Sequence, residues 1–339
     1  MPTFAPIKEQ ADVRTTAKRI FGLIKTELNL VETEYERQAA SNIQVIDYLG
    51  EYLRSSGGKR VRPALLILSA YAAGGNGRGD NVIRLATVME MLHTATLVHD
   101  DIIDNASLRR SEASVNARFG NQTAVLMGDW LYMSAFETSL KERSLAILDI
   151  LTRLTRKMTE GELIQLTTIG KLDISEDEYF DILRRKTAYL MSACCEIGAI
   201  LANAGEAVQE ALRDYGMNLG IAFQLADDLL DFTGSERDLG KAAGADLLEG
   251  KLTLPLILLR QVDSSINATL EQIIFDGEYS DDSRNELSEK LFEHQILETV
   301  RTRAVQYAEA ARKNLEVLAE TEYRFALEGI PKFVIDRSS

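Results

Sequence analysis

The sequence predicts an all-α protein, and three observations carry that reading. Apolar residues recur at helical spacing, first at Ile20, Leu23, Ile24, Leu28 and Val31, then at Leu85, Val88, Met89 and Leu92. Segments rich in Ala, Leu and Glu continue the pattern through 141–168, 176–213, 215–232 and 285–327. No alternating strand pattern interrupts them, and the 339 residues include only 5 prolines. Glycine and polar clusters at 55–63, 73–81, 105–114, 232–255 and 276–283 mark the loops. There is no internal repeat and no low-complexity linker, so a single domain over residues 1–339 is expected, with helices packed around a shared interior.

Composition narrows the function classes. Hydrophobic residues make up 45% of the chain, enough for a sizeable core, and the formal net charge is −14. Such a field repels phosphate backbones and acidic membrane surfaces, which argues against nucleic-acid partners. An anionic substrate would need local cations to reverse the sign. The two cysteines, Cys194 and Cys195, are adjacent. Neighbours in sequence are poor disulfide partners, and the expectation is buried thiols in a reducing compartment. The N-terminal stretch lacks the apolar run of a signal peptide. The longest apolar runs, "PALLILSAYAAGG" and "LTLPLILL", fall short of the ~20 residues that span a bilayer. A cytoplasmic protein with no transmembrane segment is expected.

Two acidic clusters stand out. The stretch 81–105 reads as one helix, and in "HDDIID" it carries Asp100, Asp101 and Asp104. At ~100° per residue, Asp100 and Asp104 lie about 40° apart on one face, with Asp101 beside them. Unpaired acids so close together raise one another's pKa, and the C-terminal end of a helix disfavours negative charge. A divalent cation would relieve both problems. The second cluster, "QLADDLLDF", places Gln224, Asp227, Asp228 and Asp231 on one side of another helix. Solvated helix turns are the alternative for either cluster, but both sit in apolar surroundings. Oxygen-only ligands with open positions suit Mg²⁺, which bridges carboxylates to substrate phosphates. A diphosphate clamped between two acidic helices follows.

Basic residues accompany the acids. "GGKRVRP" puts Lys59, Arg60 and Arg62 beside glycines, Arg109 and Arg110 follow the first cluster, and Lys186 and Thr187 lie in "RRKTAYL". Lys241 and Lys251 flank the Gly-rich stretch after the second cluster. Arginine forks suit phosphate oxygens, and lysine supplies a point charge. His93 falls two turns before Asp100, within about 20° of it around the helix. A lone helix histidine is usually a core residue, but here it could donate to a diphosphate.

Taken together these motifs resemble the trans-polyprenyl diphosphate synthases. Both "DDxxD" runs, "GGKRVRP", the Lys186–Thr187 pair and "GKAAGADLLEGKLTLP" occur in order from Gly57 to Pro255. Where the family commonly reads "RRGxxTxN", this chain has "RRSEASVN", with Ser111 and Ser114 at the variant positions. The resemblance implies the isoprenoid synthase fold, a large helical bundle around a central cavity, usually a homodimer. It implies metal ligation by Asp100, Asp104 and Asp227, supported by Asp101, Asp228 and Asp231, with three Mg²⁺ ions brought together by an allylic diphosphate. Arg109, Lys186, Lys251 and Lys241 would hold that diphosphate, farnesyl or geranylgeranyl. Lys59, Arg62, His93 and Arg110 would bind isopentenyl diphosphate. Thr187 and Gln224 would face the carbocation.

Product length, by the same resemblance, depends on the residues below the first cluster. Ala95 and Thr96 are small, which implies a long tunnel and a heptaprenyl-to-decaprenyl product. Tyr132, Met133 or Phe136 could form a deeper stop. Alternatives considered are a shorter-chain synthase, a non-catalytic subunit of a heteromeric synthase, a terpene cyclase, and an HD-type phosphohydrolase built on His99-Asp100. Intact acidic motifs oppose the subunit reading, the Gly57–Pro63 loop opposes the cyclase, and the scarcity of histidines opposes the phosphohydrolase.

Overall fold

The computed structural model describes residues 18–55, 57–109, 112–233 and 244–336. Helices dominate: α1 (residues 18–23), α2 (Lys25–Ala39), α3 (Gln44–Ser55), α4 (Val61–Ala72), α5 (Asp80–Ile103), α6 (Val115–Phe119), α7 (Asn121–Ser139) and α8 (Leu145–Thr168) form the first part. Then come α9 (Glu176–Leu183), a π-helical turn (Arg184–Ala188), α10 (Tyr189–Leu201) and α11 (Glu206–Thr233). The remainder is α12 (Ala245–Leu248), α13 (Leu254–Val262), α14 (Asn267–Asp276), α15 (Asp281–Glu293), α16 (Ile296–Asn314) and α17 (Glu322–Asp336).

Local chemistry sets several of these starts. Ser175 and Glu178 form a reciprocal capping box at α9, with the Ser175 N–H donating to the Glu178 carboxylate at 2.9 Å. Ser144 and Ser280 cap α8 and α15 through their hydroxyls. Pro255 sits in the first turn of α13, where its missing N–H costs nothing.

Helix α5 packs along α7, α10 against both α4 and α11, and α11 against α16. Two clusters of buried side chains result. One gathers Leu65, Leu66, Leu85, Met89, Leu131, Leu151, Cys194 and Cys195; the other gathers Leu225, Leu254, Leu256, Leu259, Ile266 and Val300. Helix α11 belongs to both, giving Leu212 and Leu219 to the first and Ile221 and Leu229 to the second. The cysteines are free thiols at zero exposure, and burial pushes Cys195 up to about 12.

Two expectations need correction. The sequence reading placed a helix break near Asp214, but α11 runs unbroken from Glu206 to Thr233. Gly216 is not a breaker: a Cβ there would lie 2.5 Å from the Met191 carbonyl oxygen, so the glycine lets α10 and α11 approach closely. The real turn is at residues 202–205, where Asn203 takes a left-handed φ of 54°. Secondly, the loop after the first acidic cluster contains a short antiparallel ribbon, β1 (Leu108–Arg109) paired with β2 (Glu112–Ala113). Ser114, the variant position, is 1% exposed, and its hydroxyl donates to the Ala106 carbonyl at 2.6 Å, closing that loop at the start of α6.

Gly198 permits a similar approach between α10 and α4, since an added Cβ would fall 2.5 Å from the Leu66 carbonyl oxygen. Gly198→Ala should therefore lower stability by about 1–3 kcal/mol through overpacking. Thermal denaturation checks this; an unchanged midpoint would show that the contact tolerates the methyl.

Candidate active site

Asp100 and Asp101 end α5, and Asp104 is its C-cap at φ −84° and ψ 1°, so the near-helical backbone keeps the three acids together. Asp101 is 3% exposed and accepts from Arg109 Nε at 2.9 Å. The β1–β2 ribbon thus folds Arg109 back onto the cluster it follows. Asp104 accepts from Lys251 Nζ at 2.9 Å, across 147 residues of sequence. Lys251 also donates to Glu249 at 2.7 Å. Burial pulls the Lys251 ammonium down, but Glu249 and Asp104 more than offset it and hold it above the ordinary lysine range.

On α11, Gln224 and Asp228 belong to a chain of hydrogen bonds. Thr187 Oγ1 donates to Gln224 Oε1 at 3.0 Å, Gln224 Nε2 donates to Asp228 Oδ1 at 2.9 Å, and the Tyr179 hydroxyl donates to Asp228 Oδ2. Lys186 and Thr187 are presented by the π-helical turn, whose extra residue re-aims consecutive side chains toward the interior. Glycines clamp that turn from both sides. A Cβ at Gly161 would lie 2.7 Å from Arg185 Cβ, and one at Gly220 would lie 2.5 Å from Ala188 Cα.

Lys186, Thr187, Gln224, Asp228 and Lys251 line one cavity of about 190 Å³, together with Gln165, Tyr179, Asp246 and Thr253. The rest of its wall is Thr168 and the apolar Ile174, Ile182, Leu183 and Leu252. Asp100 adjoins the same cations. Its carboxyl is pushed up to about 7 by burial and by Glu162, with Lys186 opposing. Asp228 is also pushed up to about 7, by burial and by Asp246, against the hydrogen bonds from Tyr179 and Gln224. Burial raises Asp101 as well, opposed by Arg109.

Asp231 is 2% exposed and turned to the following loop: its carboxylate accepts the backbone N–H of Ala245 at 3.2 Å and of Asp246 at 3.4 Å. Its carbonyl accepts from Gly244 N at 2.8 Å. This aspartate anchors the segment that carries Lys251. Asp227 is half-buried beside Asp228.

His93 and Arg109 share a second, narrow cavity with Gly57, Arg54, Glu90 and Asp101. Lys59 is exposed on the adjoining loop, and Arg62 is half-buried in the first turn of α4; neither lines that cavity. Arg60 serves the fold, pairing with Glu32 and with Glu90 at 2.8 Å. Arg110, Ser111 and Lys241 lie outside the described residues.

The sequence reading missed Glu162, Gln165, Tyr179 and Asp246. Asp246 lay within a quoted motif, "GADLLEGK". Glu162 and Gln165 carried a weaker signal, two polar residues at i and i+3 in an apolar stretch of α8. Below the first cluster, Ala95 is fully buried and Thr96 donates to the His93 carbonyl at 2.7 Å. Met133 is 63% exposed and cannot form the deeper stop, whereas Tyr132 and Phe136 pack on the core.

The chain matches the polyprenyl synthetase family model over residues 43–291. It belongs to that family. The chain is 38% identical over 301 residues to an octaprenyl diphosphate synthase of Haemophilus influenzae, covering 89% of this chain and 91% of the relative. A geranylgeranyl diphosphate synthase of Methanosarcina mazei is 36% identical, with 84% and 88% covered. Among solved structures, a polyprenyl synthase from Caulobacter crescentus, complexed with calcium and isoprenyl diphosphate, superposes with a TM-score of 0.89 at 36% identity. That match covers 95% of this chain and 98% of the other. The protein is therefore a prenyltransferase, a trans-prenyl diphosphate synthase with the isoprenoid synthase fold. No helix among the described residues is long and apolar enough to cross a membrane.

The donor set fits a hard divalent cation: carboxylate oxygens, partly buried, with charge that Lys251 and Arg109 now offset. Among the described residues no three His, Cys, Asp or Glu side chains already form a metal cage. Cation binding shared with the substrate's phosphate oxygens suits that geometry.

The raised Asp228 gives a pH prediction for the metal-free protein. A carboxyl whose folded pKa exceeds its unfolded value of about 3.9 stabilises the fold when protonated, and that contribution is lost as pH rises through 7. Asp228→Asn should therefore melt above the parent at pH 8, with the gap shrinking toward pH 5. A gap independent of pH would contradict the assignment.

Proposed function

We propose that this synthase makes a long-chain product, octaprenyl diphosphate or a near neighbour between heptaprenyl and decaprenyl, from farnesyl or geranylgeranyl diphosphate and isopentenyl diphosphate. The observation that carries the reading is one cavity wall holding Lys186, Thr187, Gln224, Asp228 and Lys251, tied through Lys251 to Asp104 of the distant first cluster. Asp100, Asp104 and Asp227 would be the principal ligands of Mg²⁺, three ions gathered by the allylic diphosphate. Asp101 and Asp228 support them, and Asp231 does so through the loop it anchors. The metal supplies Lewis-acid neutralisation of the leaving diphosphate.

The chain's own groups do the rest. Lys251 releases Asp104 and binds diphosphate oxygens, Lys186 turns its remaining N–H to the same diphosphate, and Arg109 and Lys241 join them. The allylic C–O bond then breaks to a delocalised carbocation. The Thr187 hydroxyl, which donates its proton to Gln224, keeps oxygen lone pairs for that cation. Ile174, Ile182, Leu183 and Leu252 give that cation an apolar side of the cavity, where a bound substrate would displace water. The isopentenyl double bond attacks, held by Lys59, Arg62, His93 and Arg110, and a proton passes to the released diphosphate.

The octaprenyl relative and the small Ala95 and Thr96 support the longer product; the geranylgeranyl relative keeps the shorter one in view. The chain would act as a single domain, cytoplasmic and homodimeric. Val125, Leu126 and Met133 are exposed on an arc of about 100° of α7 that also carries Gln122 and Asp129, a mixed face that a second copy would cover.

Incubation of the purified chain with farnesyl diphosphate, isopentenyl diphosphate and Mg²⁺, followed by sizing of the product, tests the reading. Products of 35–50 carbons are expected, and a 20-carbon product or none would overturn it. Asp100→Ala and Asp227→Ala should each lower turnover by roughly 1,000-fold or more, the scale seen when electrostatic stabilisation is lost, with thermal midpoints retained. Ala95→Phe should shorten the product. Because Ala95 is fully buried, its melting curve is read alongside, and a folded variant with unchanged product length would remove Ala95 from the tunnel floor.

A further inference from the structure

Two consecutive cations in the π-helical turn are both tied to α8. Arg185 pairs with Glu160, and Lys186 pairs with Glu162 at 2.7 Å, with Gly161 between the two acids allowing the close approach. The pairs differ in place. Arg185 also bonds Asp181 at 2.8 Å and stays off the cavity wall, whereas Lys186 lines it. Gln165, one turn after Glu162 and on the same wall, also accepts from Lys186 Nζ.

A lysine ammonium has three N–H bonds. Glu162 and Gln165 take two, which leaves one for a ligand oxygen. Without those anchors the four-carbon stem would sample many rotamers, and ordering it would oppose binding. Glu162 does not itself line the cavity; its direct contact to that wall is the ion pair with Lys186. We propose that Glu162 is a positioning residue for the reaction, fixing Lys186 where it meets the allylic diphosphate. The inference rests on the reading of Lys186 given above.

The test is a double-mutant cycle in which binding of farnesyl thiodiphosphate, an unreactive allylic diphosphate, is followed by calorimetry in Mg²⁺ beside steady-state kinetics. Glu162→Gln should weaken that binding and lower kcat/KM for the allylic substrate by roughly 10- to 100-fold, the range typical of a lost supporting contact. The KM for isopentenyl diphosphate should stay within about 2-fold, because the lysine meets only the allylic diphosphate. In a Lys186→Met background the same change should cost less than about 2-fold, because the lysine it acts through is gone. If Glu162→Gln costs the same in both backgrounds, or instead raises the isopentenyl diphosphate KM, the proposal is overturned while the Lys186 assignment stands. If Lys186→Met alone binds the analogue normally, the Lys186 assignment falls and this inference with it. Should Glu162→Gln fail to fold, Glu162→Asp, which keeps the charge but draws it back by one methylene, enters the same cycle with the same criteria.

Discussion

Lys251 reaches from the loop after α11 to Asp104 at the end of α5, and this ion pair joins the two halves of the site. Its geometry depends on a relay of backbone contacts. Asp231 holds Gly244, Ala245 and Asp246; the Asp246 carbonyl accepts from Lys251 N at 2.8 Å; and Gly250 O accepts from Gly170 N at 2.8 Å. The loop is thereby fixed to α11 on one side and to the end of α8 on the other. An acidic chain of net charge −14 can gather so many carboxylates only if cations meet them at once. Lys251 and Arg109 fill that role here, on Asp104 and Asp101.

The arrangement explains why the clusters are not equivalent. In each DDxxD run the second aspartate is held by neighbouring side chains, Asp101 by Arg109 and Asp228 by Tyr179 and Gln224. Asp104 is met by Lys251, which a metal and a diphosphate would displace under the proposed mechanism. Asp231 has a mechanical task, capping the start of α12, so an identical motif spacing serves two purposes on the two helices.

Much of this was legible in the sequence. Helical periodicity and the absence of strand patterns predicted the fold class, and the paired acidic runs with their basic companions predicted the chemistry. Two of the residues it missed share a reason. Glu162 and Gln165 matter because a π-helical turn, set between Gly161 and Gly220, delivers Lys186 to them, and helical periodicity contains no sign of that extra residue. The unbroken run of α11 past Asp214 was not legible, since its close approach to α10 at Gly216 is a three-dimensional feature. Met133 was misplaced because a wheel gives the angle of a residue but not which face meets the core.

The central claim is that a diphosphate bridges the two acidic helices through metal while Lys251 transfers from Asp104 to phosphate and Lys186, still held by Glu162, adds a contact to it. A crystal structure grown with Mg²⁺ and an unreactive allylic diphosphate measures this directly. The account predicts metal density between Asp100, Asp104 and Asp227, with Lys186 and Lys251 Nζ on diphosphate oxygens and the Lys251–Asp104 contact opened. A diphosphate bound elsewhere, with Lys251 still on Asp104 and no metal between the helices, would contradict it.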